Sequence, residues 1–524
     1  MRNTITLENN KYEWENGEST FYKIIDIEGP EALHFALLDK VNIHRSLTDV
    51  AQIRYEKAME EGRDNVSVVC YYNVHDNIGI KKPMKTSEGE YLISEKSITN
   101  YILRKAFSEG KVWIRDGIWH FEHPNRAFRE EILNVIDRLR VKGYIKVYNG
   151  SRFDPINDDF DGVIPSKDIV GVANVDVLSD VSYKILSPFV FNTSFFTMEE
   201  GDIISHNTNW GEAYGLLVDN GNVILPPLYN RGAFLIHEDN RCEVARISMK
   251  DTAILFPHGK WLKDFAVNKM KDISIYTRYF GVKEANRTFR FTPEVPNRYE
   301  FCIVGKEIRS YKIGGNLEIP QNGFIVSLDG KYEEDMELST LIENIQSGNN
   351  VVEYILSDEF PNVYKAIQGG TMLLKDGKDV LTPDILEKEE FFPEIRESGI
   401  IKEIGVVPTI FPADVDETKA ARIAIGYDNK GEITIIVVEG SNKTTYDPRF
   451  DSAGMTLKMV TGILKGREVI GAINLDGGGS TSAFYLSGSC VKPADRRNRK
   501  GVFYERPVPA IGYVMQGKFN GGVR

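Results

Sequence analysis

From about residue 169 onward, the sequence is a succession of short β-rich runs, each lying next to a turn that contains glycine. Four clear runs adjoin the turns Asp-Asn-Gly-Asn, Asp-Gly, Lys-Asp-Gly-Lys and Asp-Asn-Lys-Gly; they cover residues 215–218, 324–328, 371–374 and 433–439. Gly, Asn and Asp allow the backbone conformations of tight turns, so this alternation predicts strands with short connections. The runs do not recur at a fixed interval, which argues against a propeller or a solenoid. We therefore predict a sheet-rich α+β domain with a few helices.

One helix and one buried strand stand out late in this region. Residues 452–464 start with Ser452, a good helix-capping residue, and place Met455 and Met459 on one face. Residues 469–475 are continuously apolar apart from Asn474, which predicts a strand buried on both faces. This strand leads directly into the sequence that begins at Asp476.

Residues 1–160 are predicted to form a smaller mixed α+β region. Its expected elements are helices at residues 98–107 and 125–141, a hairpin between them at 111–121, and a final strand at 144–148. Such a region could be a winged-helix-like adaptor that docks to a protein partner, although an α+β region of no inferable function is the simpler interpretation. An Asn-, Asp-, Gly- and Pro-rich segment at 149–161 separates it from a second domain, predicted at 165–518.

The charge balance disfavours nucleic acid as a general partner. The chain has 64 basic and 76 acidic residues and a net charge of −12, so a basic surface over the whole molecule is excluded. Basic residues do occur between Arg126 and Lys146, but acidic residues alternate with them. Nucleic-acid binding by the first region remains an alternative, and a solvated helix face is the stronger interpretation.

The sequence gives no clear indication of cellular location. The first residues lack the apolar core of a signal peptide, and no later stretch approaches the apolar length of a membrane span. Location is therefore open, with the cytoplasm as the default and non-classical release as the alternative. The four widely spaced cysteines are predicted to be reduced thiols.

The loop that starts at Asp476 carries the strongest chemical signal. Three glycines after a buried strand provide no side-chain packing. Glycine is typical of loops whose backbone must lie very close to another group, such as a ligand. Asp476 would be held by the sheet, while the amides of residues 477–480 and the hydroxyls of Ser480 and Thr481 could face an anionic oxygen. The loop lacks the lysine of a phosphate-binding Walker loop, the helix of a dinucleotide site and the pattern of a nucleophile elbow. A bulged hairpin without a ligand remains an alternative.

The segment Ile473-Asn-Leu-Asp-Gly-Gly-Gly-Ser-Thr-Ser resembles the signature of the phosphodiester glycosidase family. Four further stretches resemble family segments in the same order; they start at Phe191, Lys365, Arg422 and Tyr504. Thr193 and Ser194 stand where the first of these segments has two glycines in the family. The resemblance covers about residues 169–516 and leaves the first region unexplained.

The resemblance implies hydrolysis of a sugar 1-phosphodiester, with a glycan, glycolipid or nucleotide sugar as the substrate. It makes Asp476 and Glu505 the candidate catalytic carboxylates and Arg422 and Arg506 the candidate phosphate clamps, because a guanidinium matches two phosphate oxygens. The candidate substrate contacts are Asn192, Ser194, Gln368, Gly369, Gly370, Gly477, Gly478, Gly479, Ser480 and Thr481.

No cofactor or metal is predicted. His120 and His123 lie in an aromatic, strand-like context without nearby partners, and no calcium-loop spacing occurs. A different functional class also stays open: a carbohydrate- or phosphate-binding module without turnover, in which Thr193 and Ser194 narrow the pocket and the first region docks to a larger assembly.

Overall fold

The computed structural model describes residues 5–38, 187–197, 211–282, 289–391, 417–441, 446–448, 450–486, 488–494 and 508–515. Single residues such as Arg506 and several short strands are described outside these ranges. Strands dominate, and they form one seven-stranded sheet, three five-stranded sheets and smaller ones. The prediction of a sheet-rich α+β fold with few helices is confirmed.

The seven-stranded sheet carries Asp476 and is antiparallel throughout. In spatial order its strands are Ile5–Glu13, Ser19–Ile27, Ile433–Val438, Arg422–Asp428, Val469–Asn474, Met372–Lys375 and Lys378–Asp379. The predicted strands at 371–374, 433–439 and 469–475 all lie in this sheet. Every residue of Ile433–Val438 is buried, which explains why its sequence is a continuous β-branched run with little polar alternation.

The two faces of this sheet are buried by different parts of the chain. Ile423 and Ile473 point into a core shared with the other sheets. Alternate residues such as Ala424 and Ala472 face the Leu457–Gly466 helix, which packs Val460 and Leu464 onto them. Because both faces are covered, the carboxyl end of Val469–Asn474 is held from both sides.

The first strands of the chain belong to the sheets of the second region. Ser19–Ile27 pairs with Ile433–Val438, and Leu33–Leu37 pairs with Ala510–Val514. Residues 19–27 and 33–37 thus pair with strands of the predicted second domain, although the prediction placed them in the first region. Hydrogen bonds between segments so far apart in the chain leave no local sequence pattern. Most of residues 39–160 lies outside the described residues, so the division of that part stays a prediction.

A five-stranded sheet, called here the 189–192 sheet, lies next to the Asp476 loop. Its strands in order are Leu33–Leu37, Ala510–Val514, Phe189–Asn192, Ala483–Tyr485 and Gly488–Ser489. Phe191 lies opposite Gly512, and an added Cβ at Gly512 would be 2.3 Å from the Phe191 ring. This glycine therefore makes room for the aromatic ring of the neighbouring strand.

Two further five-stranded sheets and a three-stranded sheet complete the larger core. The 363–368 sheet contains Asn222–Leu225, Leu217–Asp219, Val363–Gln368, Arg231–His237 and Cys242–Ile247. The 294–304 sheet contains Ala266–Val267, Ile273–Tyr276, Gly323–Asp329, Glu294–Val304 and Glu307–Gly315. The three-stranded sheet contains Trp261–Leu262, Thr252–Leu255 and Glu353–Leu356. The strands predicted at 215–218 and 324–328 lie in the first two of these sheets.

The late helix starts later than predicted. It covers Leu457–Gly466, and its N-cap is Thr456, whose hydroxyl accepts from the amide of Met459 at 3.2 Å. Ser452 instead donates to the carbonyl of Glu439, and Met455 forms a bridge with Ala420. These contacts hold residues 452–455 against the sheet, so the helix cannot begin at Ser452. The other described α-helices are Leu338–Gln346 and Ile385–Lys388.

Parts of the remaining predictions fall within the described backbone. Val112–Arg115 and Ile118–Phe121 pair as the predicted hairpin, and Ile145–Val147 forms the predicted strand, paired with Val69–Tyr71. The predicted helices at 98–107 and 125–141 lie outside the described residues, as does the segment 149–161. Cys242, Cys302 and Cys490 are buried free thiols, as predicted. Among the described residues, no helix has the length and apolar character that a membrane crossing requires.

Candidate active site

Asp476 lies where the seven-stranded sheet meets the 189–192 sheet. The preceding residue, Leu475, still donates to the carbonyl of Ile423 at 2.8 Å, whereas the Asp476 amide turns to the carbonyl of Thr193 at 3.0 Å. The side chain of Asn192 donates to the Asp476 carbonyl and accepts from the Ser482 amide, both at 2.9 Å. Asn192 thereby fixes both ends of the loop and acts as a positioning residue.

The Asp476 carboxyl is joined to Arg506 through Ser480. The Ser480 hydroxyl is hydrogen bonded to the carboxyl, and its Oγ accepts from Nη1 of Arg506 at 3.2 Å. Desolvation raises the pKa of Asp476 to about 7, although the Ser480 hydrogen bond, the charge of Arg506 and the Gly477 amide act in the opposite direction. A carboxyl with this pKa can release or take up a proton near neutral pH.

The amides of the glycine loop donate to acceptors within the protein, and their predicted contact with an anionic oxygen stays a prediction. Gly478 donates to the carbonyl of Ala421 at 2.9 Å, and Ser480 and Thr481 donate to carbonyls of the loop itself at 3.1 and 3.2 Å. The Gly477 amide serves the Asp476 carboxyl. The reason is that Gly478–Ser480 folds into a 3-10 turn, and the amides of Ser480 and Thr481 donate hydrogen bonds within this folded loop.

The glycines are instead needed for close approach and for turn geometry. A Cβ on Gly477 would lie 2.9 Å from the carbonyl oxygen of Ala421. Gly478 has a φ of 58°, in the left-handed region. The loop is therefore pressed against the start of the Arg422–Asp428 strand, which sets where Asp476 points.

Among the described residues, several buried polar atoms without a hydrogen-bond partner lie in this loop or in segments next to it. They are Thr193 Oγ1, Ser194 Oγ, Thr371 Oγ1, Asn474 Oδ1 and Thr481 Oγ1. The segments that carry them are bonded to one another: Asp476 donates to Thr193, and Asn474 donates to the Thr371 carbonyl at 2.9 Å. Leaving such groups unpaired costs about 1–3 kcal/mol each, so the arrangement is suited to a ligand rich in hydroxyl groups.

Sequence reasoning named Ser194 and Thr481 from this group but missed Thr193, Thr371 and Asn474 as polar contacts. Asn474 gave a usable signal, because it is the one polar residue in an otherwise apolar buried strand. Thr371 gave none. Its place beside Asn474 follows from the pairing of Met372–Lys375 with Val469–Asn474, across about 100 residues of sequence.

Gln368, Gly369 and Gly370 make framework contacts in the structure, and their role as substrate contacts stays a prediction. The Gln368 side chain accepts from the Leu216 amide at 3.0 Å and donates to the carbonyls of Tyr229, Arg231 and Ile247 at 2.7–3.1 Å. A Cβ at Gly369 would lie 2.2 Å from the Asn474 carbonyl oxygen. A Cβ at Gly370 would lie about 3 Å from Phe391 and Glu389. These residues bring the 363–368 sheet close to the strand before Asp476.

The two predicted arginine clamps are placed differently. Arg506 contacts Ser480, as described above. Arg422 is only 5% exposed, and it donates from Nε to the Met455 carbonyl at 3.3 Å and from Nη2 to the Thr418 carbonyl at 2.8 Å. Its Cα lies beside Gly477, while its guanidinium is engaged with carbonyl oxygens, so its role as a clamp stays a prediction. Glu505, the second predicted carboxylate, lies outside the described residues.

A separate cleft of about 600 Å³ contains none of the predicted site residues. Charges of both signs line it, among them Arg246, Lys250, Lys388, Asp251, Asp384 and Glu387. The assignment at Asp476 therefore depends on the hydrogen-bonded group of Asp476, Ser480 and Arg506.

Residues 300–515 match the sequence profile of the phosphodiester glycosidase family. The matched residues include Arg422 and the whole loop from Asp476 to Thr481, together with Arg506, so the phosphodiester glycosidase signature and the hydrogen-bonded group coincide. The match starts after Asn192 and Ser194, which lie on the neighbouring sheet. A search of curated proteins found no match.

Similar solved structures are distant from the chain. A hypothetical protein from Synechocystis is 18% identical, with a TM-score of 0.36, and the match covers 67% of this chain and 55% of that protein. A putative exported protein from Burkholderia pseudomallei is 12% identical, with coverage of 98% and 97% and a TM-score of 0.37. The catalytic domain of zebrafish N-acetylglucosamine-1-phosphodiester alpha-N-acetylglucosaminidase, auto-inhibited by its pro-peptide, is 11% identical, with coverage of 98% and 84% and a TM-score of 0.36. These scores are too low to support an argument from shared structure.

Proposed function

We propose that the chain hydrolyses the bond between the anomeric carbon of a sugar and a phosphodiester oxygen. The observation that carries this proposal is the Asp476 carboxyl, whose pKa is raised to about 7 and which is joined through Ser480 to Arg506. This group lies inside the segment that matches the phosphodiester glycosidase family. It combines a proton-transferring carboxyl with a cation suited to phosphate.

The proposed reaction breaks the carbon–oxygen bond at the anomeric centre. The bond electrons leave with the phosphate oxygen, water supplies the hydroxyl group of the released sugar, and the proton from water ends on the phosphate product or on solvent. A phosphate is a good leaving group, so a strong general acid is less necessary than for ordinary glycosides. Asp476 either stabilises the positive charge at the anomeric carbon or accepts the proton of the attacking water, and Arg506 offsets the charge on the phosphate.

The unpaired buried hydroxyls support a sugar as the part of the substrate next to Asp476. A sugar ring carries hydroxyl groups that both donate and accept hydrogen bonds. Thr193, Ser194 and Thr481 can do the same, and Asn474 Oδ1 can accept. Substrate binding would then satisfy atoms that have no partner among the described residues.

Substitution of Asp476 and Arg506 tests the proposal. Asp476→Asn and Arg506→Gln should each lower the release of free sugar from synthetic sugar 1-phosphodiesters by about 100-fold or more. The exposed residues Asp335 and Arg241 provide matched controls, because Asp335→Asn and Arg241→Gln make the same changes away from the site. The panel should include α- and β-linked glucose and N-acetylglucosamine 1-phosphodiesters.

Equal turnover by the wild type and both site variants would reject these residue roles. A second candidate is a carbohydrate- or phosphate-binding module without turnover. Thr193 and Ser194 favour it, because they place side chains where the resembling family segment has glycines. Calorimetric binding of a panel member by the wild type, without sugar release over several days, would support that alternative. Docking of residues 39–160 to a protein partner remains a further proposal.

A further inference from the structure

Of the buried arginines in the described part of the chain, Arg278 differs from the others in having no acceptor there. Among the described residues, the buried arginines Arg231, Arg298 and Arg422 each donate to carbonyl or hydroxyl oxygens. Arg309, which is largely buried, is paired with Glu212. Arg278 is 9% exposed, yet it makes no hydrogen bond or ion pair within the described part of the chain, and its Nε is buried without a partner.

An unpaired buried guanidinium is costly, because it loses water without gaining an acceptor. Burial lowers the pKa of Arg278, but arginine keeps its proton in proteins, so the positive charge remains. Because no described residue accepts from Arg278, an acceptor bound from outside the chain would remove this cost.

The charges around Arg278 leave a net positive environment. Its electrostatic neighbours are the Tyr229 hydroxyl, Arg290 and Glu318. Glu318 is already paired with Arg290, whose Nη2 and Nε lie 2.6 and 2.7 Å from Oε1 of Glu318. Two guanidinium groups thus interact electrostatically with one carboxylate, and that carboxylate is paired with Arg290.

We infer that Arg278 is an anion-binding site for a phosphate group. The planar fork of a guanidinium matches two oxygens of a phosphate, and a bound phosphate would supply the acceptor that the described residues do not. The net charge of −12 repels anions over the molecule as a whole, so binding at this point would be local. The phosphate is either inorganic phosphate or a phosphate carried by a larger molecule. The inference does not depend on the proposed function, since Arg278 is not part of the Asp476 group.

Phosphate titration of the full chain tests this site. Inorganic phosphate and glucose 6-phosphate are each titrated calorimetrically at constant ionic strength. Binding to the wild type is expected, with a loss of roughly 10- to 100-fold in affinity for Arg278→Gln and a smaller loss for Arg278→Lys, which keeps the charge but not the fork. Arg241→Gln, an exposed arginine, should bind as the wild type does. Tighter binding of glucose 6-phosphate would indicate a phosphate on a larger molecule, and equal binding would indicate free phosphate.

Thermal unfolding separates a binding role from a structural one. In phosphate-free buffer, Arg278→Gln should have a Tm equal to or above that of the wild type, because the change removes an uncompensated buried charge. Phosphate should raise the Tm of the wild type and leave that of the variant unchanged. A variant Tm several degrees lower without phosphate would identify an internal structural role and overturn the inference. Phosphate affinity that is undetectable in the wild type, or that is unchanged in Arg278→Gln, would also overturn the inference.

Discussion

At the scale of single residues, the buried polar side chains of this protein fall into two kinds. Gln368 uses its whole amide on four backbone groups, and Asn192 uses both ends of its amide on the Asp476 loop. Asp476 keeps a carboxyl that is stabilised by Ser480 and Arg506 but still titrates near neutrality. Gln368 and Asn192 hold a strand and a loop in place, whereas the Asp476 carboxyl can still exchange a proton near neutral pH.

The raised pKa of Asp476 makes stability depend on pH in a defined direction. The group has a pKa of about 7 in the folded chain against a reference value of 3.8, so the folded state holds a proton that the unfolded state has lost between these values. Its contribution to stability is therefore fully present below about pH 4 and is lost as the pH rises through 7. Asp476→Asn removes this dependence.

Urea unfolding at pH 5, 6, 7 and 8 measures the effect. The free energy of unfolding of the wild type, minus that of Asp476→Asn, should fall over this range. The difference in the free energy of unfolding between the wild type and the exposed control Asp335→Asn should stay constant over the same pH range. A constant difference for both variants would mean that the folded carboxyl titrates with its ordinary pKa.

At the scale of elements, glycine has opposite meanings in a strand and in a helix of this protein. Gly512 lies in Ala510–Val514, where a Cβ would be 2.3 Å from the ring of Phe191 on the next strand. Gly462 lies on the exposed side of Leu457–Gly466, where a Cβ would meet nothing within 4 Å. The first position demands glycine for packing, and the second does not.

The same substitution should therefore change stability in opposite directions. Gly512→Ala should lower the free energy of unfolding by about 1–3 kcal/mol through overpacking. Gly462→Ala should raise it by about 0.5–1 kcal/mol through helix propensity. Chemical denaturation of the two variants and the wild type provides the measurement, and each variant controls for the other. Destabilisation of similar size in both would contradict the packing difference.

At the scale of the whole molecule, early and late described segments of the chain share the same sheets. The hairpin at residues 5–27 extends the seven-stranded sheet, and Leu33–Leu37 pairs with Ala510–Val514. Lys365, which is 2% exposed, donates to the carbonyls of Glu31 and Leu33 at 2.7 and 2.8 Å. Residues 5–38 are thus part of the framework that holds the Asp476 loop.

A fragment limited to residues 165–518 should consequently fold poorly. It would expose the edge of Ile433–Val438 and leave Lys365 buried without its two acceptors, and an open hydrophobic edge favours aggregation. We expect low soluble yield and no cooperative thermal unfolding. Co-expression with a peptide of residues 1–38 should improve both. Cooperative unfolding of the fragment alone at the Tm of the full chain would show that the hairpin is dispensable.

The sequence by itself determined the features that depend on neighbouring residues. The strands beside glycine turns, the buried strand before Asp476, the hairpin at residues 111–121 and the family signature all follow from patterns within about 10 to 15 residues. Such patterns reflect turn geometry and side-chain alternation, which act locally. They predicted the sheet-rich fold and the loop at which the family match and the raised pKa of Asp476 coincide.

Only the tertiary structure decided which distant segments meet. It placed the first strands in the seven-stranded sheet, turned the Gln368 amide toward the framework and the Arg422 guanidinium toward carbonyl oxygens, and brought Thr371 beside Asn474. The physical reason is that the partner of a hydrogen-bonding group depends on the packing of the whole core. A glutamine that binds a sugar and one that binds four backbone groups have the same side chain, and the contacts available on folding distinguish them.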